Sequence, residues 1–478
     1  MKKGSIVPNN AQVGSNVGIN NMQNFQGNAQ MGMPPSNQGM NNNRPPMQGV
    51  PNQNVNQMQP QKNVPISHNN FSKAINMMNK QVDFTKMPVV DIVNSIILTA
   101  VNAGASDIHM DPTDDGINVR IRIDGLLRDY FKLPLEIKQN VLTRTKIMAG
   151  MNITETRLPQ DGAIKDKLEN GKDLDLRVSS LPTKRGEKIV IRIMDYSMSL
   201  KGIEYLYFSE VNYKKVLKML STPNGIILVT GATGTGKSTT LYSFLQRLNV
   251  EGSNLITVED PVEMDIEGVN QVQVNSDIGL DFASVLRSIL RQDPNIIMIG
   301  EIRDSETAQI AVRASITGHL VLSTIHTNNS LNTIERLLDM DVERYLLASA
   351  LEGIVSQKLA RKLCDKCKVK RAVTDAERSL FKSALGKEIN EIYAPNQAGC
   401  PNCTHGYKGR IAIQEVLLIS QSIRDAISAG LRKEELRKLV YNKDVITMLQ
   451  DGLFKVLAGF TTTDEILKLI DVDDESTS

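Results

Sequence analysis

The chain has 478 residues, 41% hydrophobic and 23% charged, enough for two or three domains with ordinary cores. No acid precedes Asp83, so residues 1–82, with bases at Lys2, Lys3, Arg44, Lys62, Lys73 and Lys80, carry +6 and the remainder −4. A slightly acidic folded part with 10 Tyr, 10 Phe and no Trp argues against a nucleic-acid partner. No apolar run approaches the roughly 18 residues of a membrane span. Met1-Lys2-Lys3 leads into no apolar core of the kind a signal peptide needs, and the chain reads as cytoplasmic.

Residues 1–70 hold 27 Asn or Gln and eight Pro. Such a stretch has too few branched apolar side chains to offset its ordering entropy, so 1–82 is expected to be a disordered tail. As a flexible coil it would span on the order of 50 Å, as a spacer or a tether. Val89, Ile92, Ile96, Ile97 and Val101 then recur at helical spacing up to Gly104. Ile117, Val119, Ile121 and Ile123 alternate with Asn118, Arg120, Arg122 and Asp124, predicting a half-buried strand with one charged face and an Asp124-Gly125 turn. A helix is predicted over 136–150 and strands over 173–183 and 187–195, giving a small α/β domain within 83–202. From 203 onward, predicted strands (226–230, 255–258, 295–299, 320–325) alternate with amphipathic helices, the pattern of a parallel sheet covered on both faces. Residues 418–478 read as helices.

Residues 231–238, GATGTGKS, match G-x-x-x-x-G-K-[ST] between an apolar strand and a helix. Gly234 and Gly236 allow the sharp turn that aims backbone N–H groups at phosphate beside a helix N-terminus, in a loop that opens at Gly231. With Thr233, Thr235 and Thr239 they form the expected ATP-binding loop, in which Lys237 reaches the outer phosphates and Ser238 ligates Mg²⁺. Hydrolysis further needs a water-orienting group and a metal-holding group. NIIMIGE ends an apolar strand on Glu301, which would hold Mg²⁺ through water. ITVEDPVE ends another on Glu259, Asp260 and Glu263. Strand-end carboxylates of a parallel sheet gather at one crevice, the one the phosphate loop occupies.

All four cysteines fall in two C-x-x-C pairs, Cys364/Cys367 and Cys400/Cys403. In a cytoplasmic chain this pattern predicts a structural Zn²⁺ site, with a redox pair as the alternative. The 32 intervening residues exceed the usual spacing of about 15–20, so a zinc-binding insertion over 360–410 is expected rather than a compact ribbon.

Four boxes in order, the phosphate loop, ITVEDPVE (256–263), LRQDPNIIMIGEIRD (290–304) and TGHLVLSTIHTN (317–328), resemble the secretion ATPase superfamily. Within it the chain is similar to the type IV pilus assembly and type II secretion ATPases (PilB/GspE-like). The likeness covers about 84–478 and includes ASDIHMDP, RIRIDG, LPQDG and DLRVSSLPT. The resemblance implies a RecA-like P-loop domain over 203–478 and a small PAS-like α/β domain before it, which supplies arginines to the ATP cleft. It further implies a homohexameric ring with ATP between a P-loop domain and a neighbouring N-terminal domain. On this reading Glu263 polarises the attacking water, Glu301 lies near Mg²⁺, Arg177 and Arg192 close on the γ-phosphate, and His319 and His326 form the histidine-box pair. Without the resemblance, Arg177 and Arg192 read as exposed strand residues in surface ion pairs. The four-cysteine insertion and GYKGRIAIQEVL (406–417) place the likeness with the assembly class rather than the pilus retraction ATPases.

The implied function is ATP hydrolysis that drives type IV pilus assembly through an inner-membrane platform protein, at the inner face of the membrane, with a cytoplasmic accessory protein as a further partner. Type II secretion and DNA-uptake pseudopilus assembly are the near alternatives. Retraction, a nucleic-acid motor and an ATP-dependent scaffold are the more distant ones. Many such ATPases carry a folded N-terminal docking domain where this chain has its Asn/Gln-rich tail.

Overall fold

The structure, a computed structural model, describes residues 83–168, 173–194, 202–441 and 444–470. The expected disordered tail lies outside the described residues.

Six strands form the first sheet: β1 Ala105–Thr113, β2 Gly116–Ile123, β3 Leu126–Pro134, β4 Gln160–Lys167, β5 Asp173–Thr183 and β6 Gly186–Met194. Their order is β3-β2-β1-β6-β5-β4, with every neighbouring pair antiparallel. Side chains of a strand alternate between faces. One face carries Ile108, Met110, Val119, Ile121, Leu176, Val178, Ile189 and Ile191, all buried beneath helices Val89–Asn102 and Leu135–Met148. The other face carries Asp107, His109 and Asp111 from β1 together with Arg120, Arg122, Arg177, Lys188 and Arg192 from its neighbours. The sequence predicts β2, β5 and β6. It misses β1 because Asp107, His109 and Asp111 interrupt the apolar signal; the two carboxylates are paired there with facing bases, Asp107 with Arg122 and Arg192 and Asp111 with Arg120 and Lys188.

The second sheet contains β7 Gly225–Thr230, β8 Leu255–Glu259, β9 Asn270–Gln273, β10 Ile296–Ile299, β11 Leu320–Ile325, β12 Leu351–Leu363 and, after a small hairpin (β13 Val369–Ala372, β14 Glu391–Ala394), β15 Tyr407–Leu418. The order is β15-β12-β7-β11-β10-β8-β9, parallel throughout except that β15 runs antiparallel to β12 at one edge. β7 shows why the strands read as continuous apolar runs. Ile226 and Leu228 point to one buried layer, Ile227 and Val229 to the opposite one, and all four are fully buried. Trimming Leu228 to Ala would leave a cavity costing about 2–5 kcal/mol. Helices Phe282–Ile289, Ser305–Ile316 and Ser330–Asp339 cover one face, and Glu210–Leu220 and Lys237–Leu248 the other. Among the described residues four helices follow β15, the last Thr463–Leu469. No helix among the described residues is long and apolar enough to cross a membrane.

The two sheets lie in one compact unit. Asp124, in the β2–β3 turn, accepts a hydrogen bond from the Gly409 N–H at 3.0 Å and so ties the first sheet to the start of β15.

Candidate ATP site and cysteine cluster

β7 feeds directly into the glycine-rich loop, and the helix begins at Lys237 behind Gly236, which has φ +88°. A Cβ at Gly231 (φ +151°) would sit 2.5 Å from the Gln357 carbonyl oxygen, so only glycine fits there. Gln357, buried on β12, braces the loop from below. Its Nε2 donates to the Thr235 carbonyl at 2.8 Å, and its Oε1 accepts from the Thr240 hydroxyl at 2.9 Å. Thr235 Oγ1 in turn donates to the Ala232 carbonyl at 2.9 Å. Lys237 donates to the carbonyls of Gly231 (2.9 Å) and Ala232 (3.1 Å), which holds the ammonium over the loop. Burial pushes this ammonium below its ordinary pKa, and the Glu301 carboxylate opposes that shift. Thr233 and Gly234 are exposed at the loop tip, and Thr239 lies half-buried in the first helical turn.

The parallel register brings the ends of β7, β8, β10 and β11 to one edge, with Thr230 opposite Ile325 and Ile299 paired to Val258. The carboxylates at this edge differ sharply in surroundings. Glu259 is buried and accepts hydrogen bonds from Tyr242, Thr257 (2.5 Å) and Gln271 (3.0 Å). Burial, with the Glu259 charge adding to it, holds the Tyr242 phenol well above its ordinary pKa. The same phenol oxygen accepts from the Glu263 backbone N–H at 3.2 Å. Glu259 and Tyr242 therefore position the loop that bears Glu263.

The Glu263 carboxylate accepts from Ser238 Oγ at 3.3 Å, beside the phosphate loop. Burial pushes this carboxyl above the usual carboxylate range. Ser238 and Arg192 pull it back, while Glu259 adds to the rise. Glu301, beyond β10, pairs with Arg303 and lies 3.2 Å from His326 Nε2. Arg303 also reaches Asp260 at 3.8 Å.

The structure does not bring His319 to this edge. His319 precedes β11 and His326 follows it, so at about 3.3 Å per residue they stand roughly 20 Å apart. The His319 ring nitrogen Nδ1 lies 2.9 Å from the Ala314 carbonyl oxygen, at the far end of the strand.

Arg192 approaches from the first sheet of the same chain, close enough to lower the Glu263 pKa, and its Nε donates to Asp107 at 3.2 Å. Arg177 is the cross-strand neighbour of Arg192 and pairs with Asp175 at 3.5 Å.

The four cysteines converge away from the phosphate loop. Sγ–Sγ separations are 3.8 Å for Cys364–Cys400, 3.5 Å for Cys367–Cys403 and 3.6 Å for Cys400–Cys403, and all four sulfurs lie within 4.8 Å of one another. A tetrahedron with ~2.3 Å Zn–S bonds has edges of about 3.8 Å, so the cluster fits one structural Zn²⁺ with every ligand position taken by sulfur.

Sequence reasoning did not find Gln357, Tyr242, Arg303 or Asp107. For Gln357 the only trace is a polar residue inside the apolar run GIVSQKLA; Asp107 and Arg303 lie within the boxes ASDIHMDP and LRQDPNIIMIGEIRD, and Tyr242 carries no local signal.

The type II/IV secretion system protein family matches residues 83–468. Type II secretion system protein E of Dickeya dadantii is 43% identical over 383 residues, 80% of this chain and 76% of that protein. The type IV pilus assembly ATPase PilB of Myxococcus xanthus is 42% identical over 397 residues, 83% of this chain and 70% of that one. Among solved structures, the pilus retraction motor PilT with bound ADP is 26% identical, with a TM-score of 0.55 over 80% of this chain and 98% of that chain.

Proposed function

The chain belongs to the type II/IV secretion system protein family and is an ATPase of the secretion and pilus type, and on that premise we propose that it forms a hexameric motor that drives type IV pilus assembly through an inner-membrane platform protein. The observation that carries the site assignment is the convergence of Lys237, Ser238, Glu263 and Glu301 on one sheet edge, with Arg192 approaching over it.

On this reading the loop from Gly231 to Thr239 holds the phosphates of ATP by backbone N–H groups, and Lys237 leaves its carbonyl partners for the β- and γ-oxygens. Ser238 and, through water, Glu301 would hold Mg²⁺, which neutralises part of the phosphate charge. Glu263, held beside Ser238, polarises the attacking water; its raised pKa makes it a better proton acceptor than an ordinary carboxylate. Charge growing on the γ-phosphate is met by Arg192 and Arg177, a contribution of ~10³–10⁵ in rate where a supplied arginine acts. His326, beside Glu301, is placed to sense the γ-phosphate. His319, at the far end of β11, serves the strand's structure. The cysteine cluster holds Zn²⁺ in a structural role.

The experiment that tests the proposal is electron microscopy of surface filaments on cells lacking the gene. Loss of pili, restored by the intact gene and not by Glu263→Gln, is expected. Unchanged pili would refute the assembly role and favour secretion or DNA uptake, and unusually abundant pili would indicate retraction. Type II secretion is the second reading, because identity to a type II secretion protein E, at 43%, is within one percentage point of that to PilB, at 42%.

A further inference from the structure

The register of the first sheet sets four functional-group positions in one cross-strand row. Arg122 on β2 lies opposite Asp107 on β1, Asp107 lies opposite Arg192 on β6, and Arg192 lies opposite Arg177 on β5. In-register residues share a face, so Asp107 lies between the guanidinium groups of Arg122 and Arg192, with Arg177 one strand beyond Arg192. Asp107 is buried, at 9% exposure, whereas the Arg192 side chain is 63% exposed. The buried group is fixed and the long one reaches outward.

The two arginines that touch Asp107 are used differently. Arg122 lies 3.5 Å from Asp107 through Nε and donates through Nη1 to the Gly125 carbonyl at 2.9 Å, so its fork is engaged with the β2–β3 turn. Arg192 donates to Asp107 Oδ1 only through Nε, at 3.2 Å, and its two terminal amino groups make no hydrogen bond to the described residues. The other Asp107 oxygen accepts from Ser106 Oγ at 2.8 Å. A carboxylate that grips a guanidinium by Nε fixes the direction of the fork and leaves the Nη groups for a second, bidentate acceptor such as a phosphate.

We propose that Asp107 is a positioning residue for ATP hydrolysis: it holds Arg192 by Nε so that the terminal amino groups are already aimed at the γ-phosphate. Most of the rotamer entropy that a free arginine would lose at the transition state is then lost beforehand, on folding. The inference rests on the proposed role of Arg192 and adds the residue through which that role is set.

The test is a double-mutant cycle on the full chain, with kcat and KM for ATP hydrolysis, affinity for a fluorescent ADP analogue and melting temperature measured for each variant. Asp107→Asn keeps an oxygen acceptor in place and removes the charge. Its kcat should fall about 10- to 100-fold, with ADP affinity within about threefold, since the γ-phosphate is absent from ADP. In an Arg192→Ala background the same change should lower kcat less than about twofold further, which a merely structural role would not reproduce. Arg122→Ala, which removes the other partner of Asp107, should stay within about threefold of the intact protein. If Asp107→Asn fails to fold, Asp107→Ser goes through the same cycle. An unchanged kcat, a raised one, or full effects that multiply in the Arg192→Ala background would each overturn the inference. Normal turnover by Arg192→Ala alone would instead refute the proposed role of Arg192, and the inference with it.

Discussion

On the proposed function, the two sheets contribute to the site in different ways. In the parallel sheet the chemistry lies at one edge, where strands end and the chain turns. Its working parts are backbone N–H groups and side chains within a few residues of a strand's last position. In the antiparallel sheet the chemistry lies on a face, in rows that run across strands. Neighbours in such a row come from positions 107, 122, 177 and 192. An edge site is thus contiguous in sequence and a face site is contiguous only in register. The contrast teaches that the face depends on register: a slip in strand pairing would displace its row while leaving the edge loop intact.

The comparison is put at greatest risk by Arg192→Ala, which removes the proposed contribution of the face and leaves the edge whole. A kcat loss on the order of 10³-fold is expected with near-normal ADP binding, measured by phosphate release and fluorescence titration. A loss under tenfold would mean that the edge works alone. Glu263→Gln tests the edge. Turnover should fall at least ~100-fold in a steady-state assay.

The same change should act oppositely on stability. Burial raises the Glu263 carboxyl, so the fold favours its neutral form, and charging it as pH rises above the ordinary carboxylate range costs stability. Removing that charge should therefore stabilise the protein at pH 7 by on the order of 1 kcal/mol in thermal melts. In the intact enzyme kcat/KM should fall on acidification at a pH above the ~4.3 of a free glutamate, and Glu263→Gln should abolish that limb.

Gln357→Ala sharpens the picture from beneath the edge. It leaves the Thr235 carbonyl and Thr240 hydroxyl without their buried partner, at a cost of about 1–3 kcal/mol in stability. Calorimetry should find ATP bound about tenfold more weakly. The smallest effect on the ATP site is expected from chelation. Loss of Zn²⁺ should remove hydrogen-exchange protection around residues 364–411 first, with β7, β8, β10 and β11 still protected. Metal analysis finding no zinc in the purified protein, with all four thiols freely reactive, would end the zinc assignment.

The legibility of the sequence follows the same division. The phosphate loop and its strand are plain in GATGTGKS after IILVT because each residue's task is local. The cysteines are equally plain, since two C-x-x-C pairs in a chain with no other cysteine have few other uses. The first sheet shows only its regular strands. β1 stays hidden because polar residues interrupt it, and Asp107 and Asp111 are charged for the sake of partners up to 85 residues away. β12 and β15 stay hidden because Gln357, Gln414 and Glu415 break their apolar runs, and each of these is buried against a specific partner. His319 and His326 look like a pair in a line of letters, yet a strand that rises about 3.3 Å per residue separates them.

β12 is a single unbroken element of 13 residues, roughly 43 Å long at that same rise. Its middle, at Gln357, touches the nucleotide loop, and its end runs straight into Cys364. β7 pairs only with Leu351–Ser356, so from Gln357 onward β12 is held by β15 alone, with a shift of register between Arg361 and Leu363. The stretch that joins the phosphate loop to the cysteine cluster is therefore a two-stranded ribbon and not the full sheet.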